Sequence, residues 1–199
     1  PPGLFRTVLL GGDRPPAEPP SECVVTYGLT ETGGGVVYDG VPLEGVEVRV
    51  DGDGGIALRG PMLLRAYRDG TDPKDAAGWF DTGDVGRWTD ERRLEVTGRR
   101  GDLIITGGEK VWPAPVEEVL RAHPAIGDVA VVGRADPEWG QRVVAYVEPA
   151  PGQAAVPLAD LRAWAKERLP AYAVPRQVEW LDALPRTTLG KIARAALTA

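Results

Sequence analysis

Residues 185–194 read PRTTLGKIAR, a stretch in which the flexible backbone of Gly190 stands beside the ammonium of Lys191. That pairing suits an anionic oxygen, and the nucleotide-binding loop GxxxxGK[ST] is the first pattern to try. It fails: Pro185 stands five positions before Gly190 where that loop has glycine, and Ile192 replaces the hydroxyl that would hold magnesium. The plain structural alternative is a short terminal helix, Leu189 to Ala199, with an exposed lysine. Three other stretches gather chemistry-bearing side chains. YGLTE, 27–31, offers an aromatic face, a hydroxyl and a carboxylate, suited to stack on a base, touch a phosphate and bind a hard cation. GWFDTGD, 78–84, sets Asp81 and Asp84 around a Thr-Gly turn, where a carboxylate can accept ribose hydroxyls. An Asx-type turn between strands accounts for the same residues. GRRGDLIITGGEK, 98–110, puts three cations and two carboxylates around a glycine-rich hairpin. Gly101 within it, lacking a Cβ, can absorb the φ/ψ change of a hinge; a Gly-Gly turn among solvated charges explains the stretch equally well.

The elements that must carry these groups fall into two textures. FRTVLLGGD, 5–13, reads as a buried strand ending in a glycine turn, and the proline-rich run after it cannot hold regular structure. CVVTYG is a second strand. From Val46 to Thr97, short alternating runs (VEVRV, GIALRG, RLEVTG) separated by DGDGG, RDGTD and TDERR predict an antiparallel meander or small barrel. After Gly98 strands and helices interleave. DLIITGGEKVW predicts a hairpin, Pro115 to His123 a helix with Val116, Val119 and Leu120 inward, and DVAVVG, RVVAYVEP and QVEWL strands. Leu158, Leu161, Ala165 and Leu169 mark an amphipathic helix that Pro170 stops. The expected fold is α+β in two parts, residues 1–99 mostly β and residues 100–199 a compact α+β unit.

Bulk properties narrow the chemistry. The chain has 199 residues and a net charge of −6, unevenly shared: residues 1–97 carry 10 Lys and Arg against 17 Asp and Glu, residues 98–199 carry 13 against 12. This argues against a nucleic-acid binder, which needs a basic face to displace counterions. No apolar run is long enough to span a bilayer, so no membrane role is expected. The single cysteine, Cys23, excludes an internal disulfide framework and fits a reducing compartment, and a cytoplasmic protein is expected. The single histidine, His123, removes His-cluster metal sites and most imidazole mechanisms; it reads as a surface or capping residue at a helix end. Catalysis here would rest on carboxylates, lysine and arginine.

Taken jointly, YGLTE, WFDTGD, GRRGDLIITGGEKVWPAPVEE and PRTTLGKIAR, in this order and spacing, resemble the motifs of the adenylate-forming superfamily of acyl-CoA synthetases, luciferases and peptide-synthetase adenylation domains. The resemblance runs from about Leu9 to the end. TYGLTETGGGVVYDGVPLEGV within it is most similar to the o-succinylbenzoate-CoA ligases of menaquinone biosynthesis, especially their actinobacterial branch. The resemblance implies ATP-dependent formation of an acyl-adenylate, with pyrophosphate released, and then exchange of AMP for the thiol of CoA. It implies that Tyr27, next to Gly28, stacks on adenine, that Thr30 touches the α-phosphate, that Glu31 ligates Mg2+, and that Asp84 and Arg99 hold the ribose. Gly101 takes the hinge position with Asp102 beside it, Lys191 bridges the acid and phosphate oxygens, and Gly107, Gly108 and Lys110 face the pantetheine channel of CoA. Residues 1–99 then hold the last part of a large N-terminal domain, and residues 100–199 form a lid. The Ser/Thr/Gly-rich loop ending in Lys that holds the outer phosphates has no counterpart in the 199 residues, and the connection at 13–22 is shorter than expected. The expectation is the C-terminal part of a longer ligase with little activity alone, acting on a carboxylic acid such as o-succinylbenzoate; a homodimer stays open. A different aryl or acyl acid, a carrier protein as acceptor, or a non-catalytic nucleotide-binding module are the alternatives.

Overall fold

A computed structural model of the chain describes residues 6–12, 19–188 and 190–198. The chain divides into two compact units, Pro1–Arg100 and Gly101–Ala199. In the first, β1 (Val8–Leu10) runs parallel to β2 (Cys23–Leu29), which pairs antiparallel with β3 (Gly34–Tyr38), itself paired with β4 (Val41–Pro42). Phe5 and Asp13, at the ends of the expected first strand, and most of the proline-rich run lie outside the described residues.

The second sheet is the expected antiparallel meander: β5 (Glu47–Val50), β6 (Gly55–Arg59), β7 (Phe80–Trp88) and β8 (Leu94–Arg99) in that order, curled into a half-barrel. Its core joins the first sheet, with Val36 and Val37 of β3 packed among Ile56, Leu58 and Leu94. Burial alternates along β7, with Phe80, Thr82, Asp84 and Gly86 inward, as the two-residue period of a strand requires. A carboxylate thereby lands on a core face. The WFDTGD stretch, expected as a tight turn between strands, is instead the first half of this strand. Its turn character survives as a bulge: Gly55 pairs with Val85 but Ala57 with Asp81, and Gly83 takes a φ of 71° between them.

The second unit opens with the expected hairpin, β9 (Ile104–Thr106) and β10 (Glu109–Val111), turning on Gly107 and Gly108 with φ of 58° and 84°. Two consecutive left-handed residues define the hairpin turn that glycine favours. Helix α1 (Pro113–Arg121) begins two residues earlier than expected, with proline in its first turn. The long antiparallel pair β11 (Ile126–Asp136) and β12 (Gly140–Pro149) follows, then α2 (Leu158–Lys166), β13 (Gln177–Trp180), which runs parallel to β12, and the single-turn α3 (Ala195–Thr198). Helices α1 and α2 cover one sheet face through Val116, Leu120, Leu161 and Ala165. The other face packs Ala130, Val132, Val144 and Tyr146 under Leu184 and Leu197.

Three sequence expectations need correction. β1 is not a buried strand, since Leu9 is 61% exposed and Val8 and Leu10 are only half-buried. Val119 is half-buried while Glu117 is buried, so the inward stripe of α1 is Pro113, Val116, Glu117 and Leu120. Leu158 stays exposed at the start of α2, and that helix stops at Lys166, short of Leu169. Where the plain alternative was a terminal helix, Leu189 to Ala199, the chain forms a hairpin followed by one helical turn; Leu189 and Ala199 lie outside the described residues. Among the described residues no helix is long and apolar enough to cross a membrane.

Leu120 is fully buried, whereas Leu158 is 38% exposed. In urea unfolding Leu120→Ala should therefore lower stability by about 2–5 kcal/mol and Leu158→Ala by no more than about 0.5 kcal/mol. Equal losses would contradict the described core.

Candidate active site

Three distant segments converge in the first unit. Tyr27, near the end of β2, donates its hydroxyl to Asp84 Oδ2 at 2.9 Å, and Arg99 Nε lies 3.1 Å from Asp84 Oδ1. Asp84 and Arg99 stand opposite each other on β7 and β8. Asp84 is only 7% exposed, and a buried carboxylate must be answered by donors. Here the donors are one phenol and one guanidinium; the backbone of Asp84 is held separately, Thr82 Oγ1 accepting the Asp84 amide at 3.1 Å and donating to the Ile56 carbonyl at 2.8 Å. A carboxylate offers about four lone-pair positions, so Asp84 keeps capacity for ligand hydroxyls. Burial pushes the Tyr27 phenol far above its ordinary value, and the charge of Asp84 adds to this against the hydrogen bond of Thr82. Tyr27 is thus a neutral, oriented ring.

Thr30 and Glu31 lie just beyond β2 on a single 3-10 turn, Thr30–Thr32. Gly28 permits the turn to fold back: a Cβ there would strike the Gly34 carbonyl. The buried Thr32 holds the turn, its hydroxyl accepting the Leu29 amide at 2.9 Å. Thr30 is exposed, and Glu31 accepts the Tyr67 hydroxyl at 3.1 Å while its carbonyl accepts the Leu64 amide at 2.7 Å. A hydroxyl and a carboxylate are therefore presented side by side on a rigid turn. The Gly33–Gly35 run is the reversal into β3, with Gly33 at φ 70°. Among the described residues no three His, Cys, Asp or Glu side chains cluster as a metal cage.

The second unit carries the remaining expected residues. Gly101 sits in a 3-10 turn with Arg100 and Asp102, and a Cβ on it would meet nothing within 4 Å. The turn's present conformation does not demand glycine. Gly107, Gly108 and Lys110 are exposed on the β9–β10 hairpin, which Trp139 braces: its carbonyl accepts the Gly107 amide at 2.9 Å and its ring leaves no room for a Cβ at Gly107. Arg176 in turn lies 4.2 Å over that indole. Lys191 is exposed on a tight hairpin, 185–193, in which Thr187 N donates to the Lys191 carbonyl at 2.7 Å, Ala193 N to the Pro185 carbonyl at 2.8 Å, and Arg186 faces Ile192. His123 closes α1 as a local cap, its Nδ1 accepting the Ala125 amide at 3.2 Å.

Residues 115–191 match the family described as the AMP-binding enzyme C-terminal domain. Over 178 residues, 87% of this chain and 46% of the relative, the sequence is 46% identical to a probable 2-succinylbenzoate-CoA ligase of Mycobacterium tuberculosis. Residues 115–191 thus carry the C-terminal domain of the AMP-binding enzymes. A solved structure of the o-succinylbenzoate-CoA synthetase of Bacillus subtilis in complex with AMP superposes on this chain with a TM-score of 0.83, at 30% identity, covering 100% of this chain and 48% of that one. The same synthetase with ATP and a magnesium ion gives a TM-score of 0.77 at 32% identity, over 88% of this chain and 41% of that one. The chain spans less than half the length of these relatives.

Sequence reasoning did not single out Thr82, Tyr67, Trp139 or Glu117. Glu117 had a legible signal, since 113, 116, 117 and 120 form one helical stripe and a carboxylate within it must find a partner. Thr82 shares the parity of Phe80 and Asp84. Tyr67 and Trp139 sit in loops with no periodic signal.

Because folding raises the Tyr27 pKa above its unfolded value, the associated stability is complete below about pH 10 and is lost as pH climbs toward the folded value. Tyr67 and Tyr146 are also raised and contribute to the same loss. In unfolding series between about pH 9 and about pH 12, the Tyr27→Phe chain should lose stability less steeply than the parent. Parallel curves would refute the buried Tyr27–Asp84 arrangement.

Proposed function

We propose that this chain supplies the nucleotide-binding edge and the lid of an AMP-forming acid-CoA ligase, with o-succinylbenzoate as the acid. The observation that carries this reading is the convergence of Tyr27, Asp84 and Arg99 from three segments onto one buried carboxylate. Tyr27 offers a neutral ring to stack on adenine, and Asp84 accepts the ribose hydroxyls while Arg99 balances its charge. Thr30 contacts the α-phosphate. Glu31 fits a magnesium ion that takes one carboxylate and completes its shell with phosphate oxygens and water; such an ion would neutralise the departing pyrophosphate. The identity to a named 2-succinylbenzoate-CoA ligase supports the choice of acid.

Attack of a carboxylate on the α-phosphorus brings two anions together and builds charge on the bridging and leaving oxygens. An ammonium placed there stabilises the transition state, and exposed Lys191 is the cation assigned that role. Thioester formation needs a different surface, for which the exposed Gly107–Lys110 turn is assigned beside the pantetheine arm of CoA. Both surfaces belong to the unit that begins at Gly101. Rotation about Gly101, with Asp102 following, would exchange one for the other, and a residue that meets no steric demand in one conformation is suited to adopting another. A cytoplasmic location completes the reading, supported by the lone Cys23.

The deciding experiment is ATP-dependent thioester formation followed by mass spectrometry across a panel of aryl and acyl acids, o-succinylbenzoate included. It is run on the 199 residues alone and on the same residues joined to the part of the Mycobacterium tuberculosis relative that precedes the aligned half. The joined protein should form the o-succinylbenzoyl thioester and the short chain little or none. Product from a different acid only would overturn the substrate, and no adenylate from any acid would overturn the ligase. In the joined protein Lys191→Ala should reduce adenylation by about 10²–10³-fold while sparing thioester formation from supplied acyl-adenylate. Equal losses in both half-reactions would refute the division of labour between the two surfaces.

A further inference from the structure

The hairpin that presents Lys191 has little core of its own: among its described residues Arg186, Thr187, Thr188, Gly190 and Lys191 are all exposed. Its apolar anchors, Leu184 and Leu197, lie outside the hairpin on either side, and Ile192 is only partly buried against the same cluster. What fixes the hairpin is charge. On its entering strand, Arg186 Nη2 lies 2.6 Å from Asp128 Oδ2 and Arg186 Nη1 donates to the Gly190 carbonyl at 3.1 Å. Just past its returning strand, Arg194 Nη2 lies 2.6 Å from Glu117 Oε1.

Both carboxylates also serve the same strand. Among the described residues β11 is paired on one side only, with β12, so its other edge presents backbone groups that need partners. Glu117 Oε1 accepts the Val131 amide at 2.8 Å, Asp128 Oδ1 accepts the Val129 amide at 2.8 Å, and Arg121 Nη2 reaches the Val129 carbonyl at 3.5 Å. Glu117 is 5% exposed, on the inward stripe of α1. Burial pushes the Asp128 carboxyl up, but the hydrogen bond from Arg186, the Val129 amide and Arg121 outweigh it and leave Asp128 below the usual carboxylate range.

We infer that Glu117 and Asp128 are positioning residues for Lys191: through Arg194 and Arg186 they fasten the lysine hairpin to the free edge of β11 and so fix where the ammonium is presented. This rests on the reading of Lys191 as the adenylation lysine. Neither carboxylate touches a reacting atom. Each acts through an arginine within five residues of Lys191, and the two arginines flank it, so the hairpin is held on its entering strand and just past its returning one.

Glu117→Gln separates this role from a structural one, because the amide oxygen can still accept the Val131 amide while the charge opposite Arg194 is gone. Hydrogen exchange on the 199-residue chain should show the Thr187 and Ala193 amides exchanging about tenfold faster in Glu117→Gln, the loss expected for one charge-assisted hydrogen bond, with β12 unchanged. Asp128→Asn should act in the same segment. Unchanged hairpin exchange, or acceleration spread across β12, would overturn the inference. In the joined ligase, Glu117→Gln should lower ATP–pyrophosphate exchange by about tenfold and spare thioester formation from supplied acyl-adenylate. If Lys191→Ala left pyrophosphate exchange intact, the role of Lys191 itself would fall. If Lys191→Ala abolished it while Glu117→Gln left it untouched, only the positioning inference would fall.

Discussion

A carboxylate withdrawn from water must be surrounded by donors, and this chain uses that requirement to join segments far apart in sequence. Asp84 draws Tyr27 and Arg99 to one point, 57 and 15 residues away along the chain. Glu117 draws in Arg194 from 77 residues away and the edge of β11 with it. The desolvation cost of each acid is offset only if its partners hold their positions. The side chains that converge on each acid inherit their placement from that demand.

The two units solve this problem with different elements. In the first, the two-residue period of β7 turns Asp84 inward, and a bulge at Gly83 lets the strand depart from regular pairing at that place. In the second, the 3.6-residue period of α1 turns Glu117 inward beside Val116 and Leu120. Both acids thus sit on buried faces, Asp84 beside Phe80 and Thr82 and Glu117 beside Val116 and Leu120, where substitution by a neutral hydrophobe would remove the junction.

Much of this was legible from the residues. The meander from Val46 to Thr97, the Gly107–Gly108 hairpin and the order of strands and helices after Gly98 followed from alternation, glycine pairs and helical spacing, and the structure has them. Tyr27, Asp84 and Arg99 were picked out by motif, but their meeting was not readable, because strand register across β7 and β8 is set by packing rather than by local sequence. The WFDTGD stretch was misread as a turn because Thr-Gly after Asp carries turn chemistry even inside a strand. The 185–193 hairpin was not readable, because the bonds that close it are local backbone contacts, while those that hold it come from Asp128 and Glu117.

The way β11 is finished has a consequence beyond the lysine. An open strand edge is an invitation to any other extended chain, and proteins guard such edges against self-association. Here the guard is assembled from Glu117, Asp128, Arg121, Arg186 and Arg194, and two of those five arrive with the C-terminal segment. Protection of the strand edge and attachment of the 185–193 hairpin are therefore written into the same few charges. A chain whose last fourteen residues have yet to fold into place exposes a strand edge that could recruit its neighbours, so completion of the C-terminus is also the step that closes this unit to aggregation.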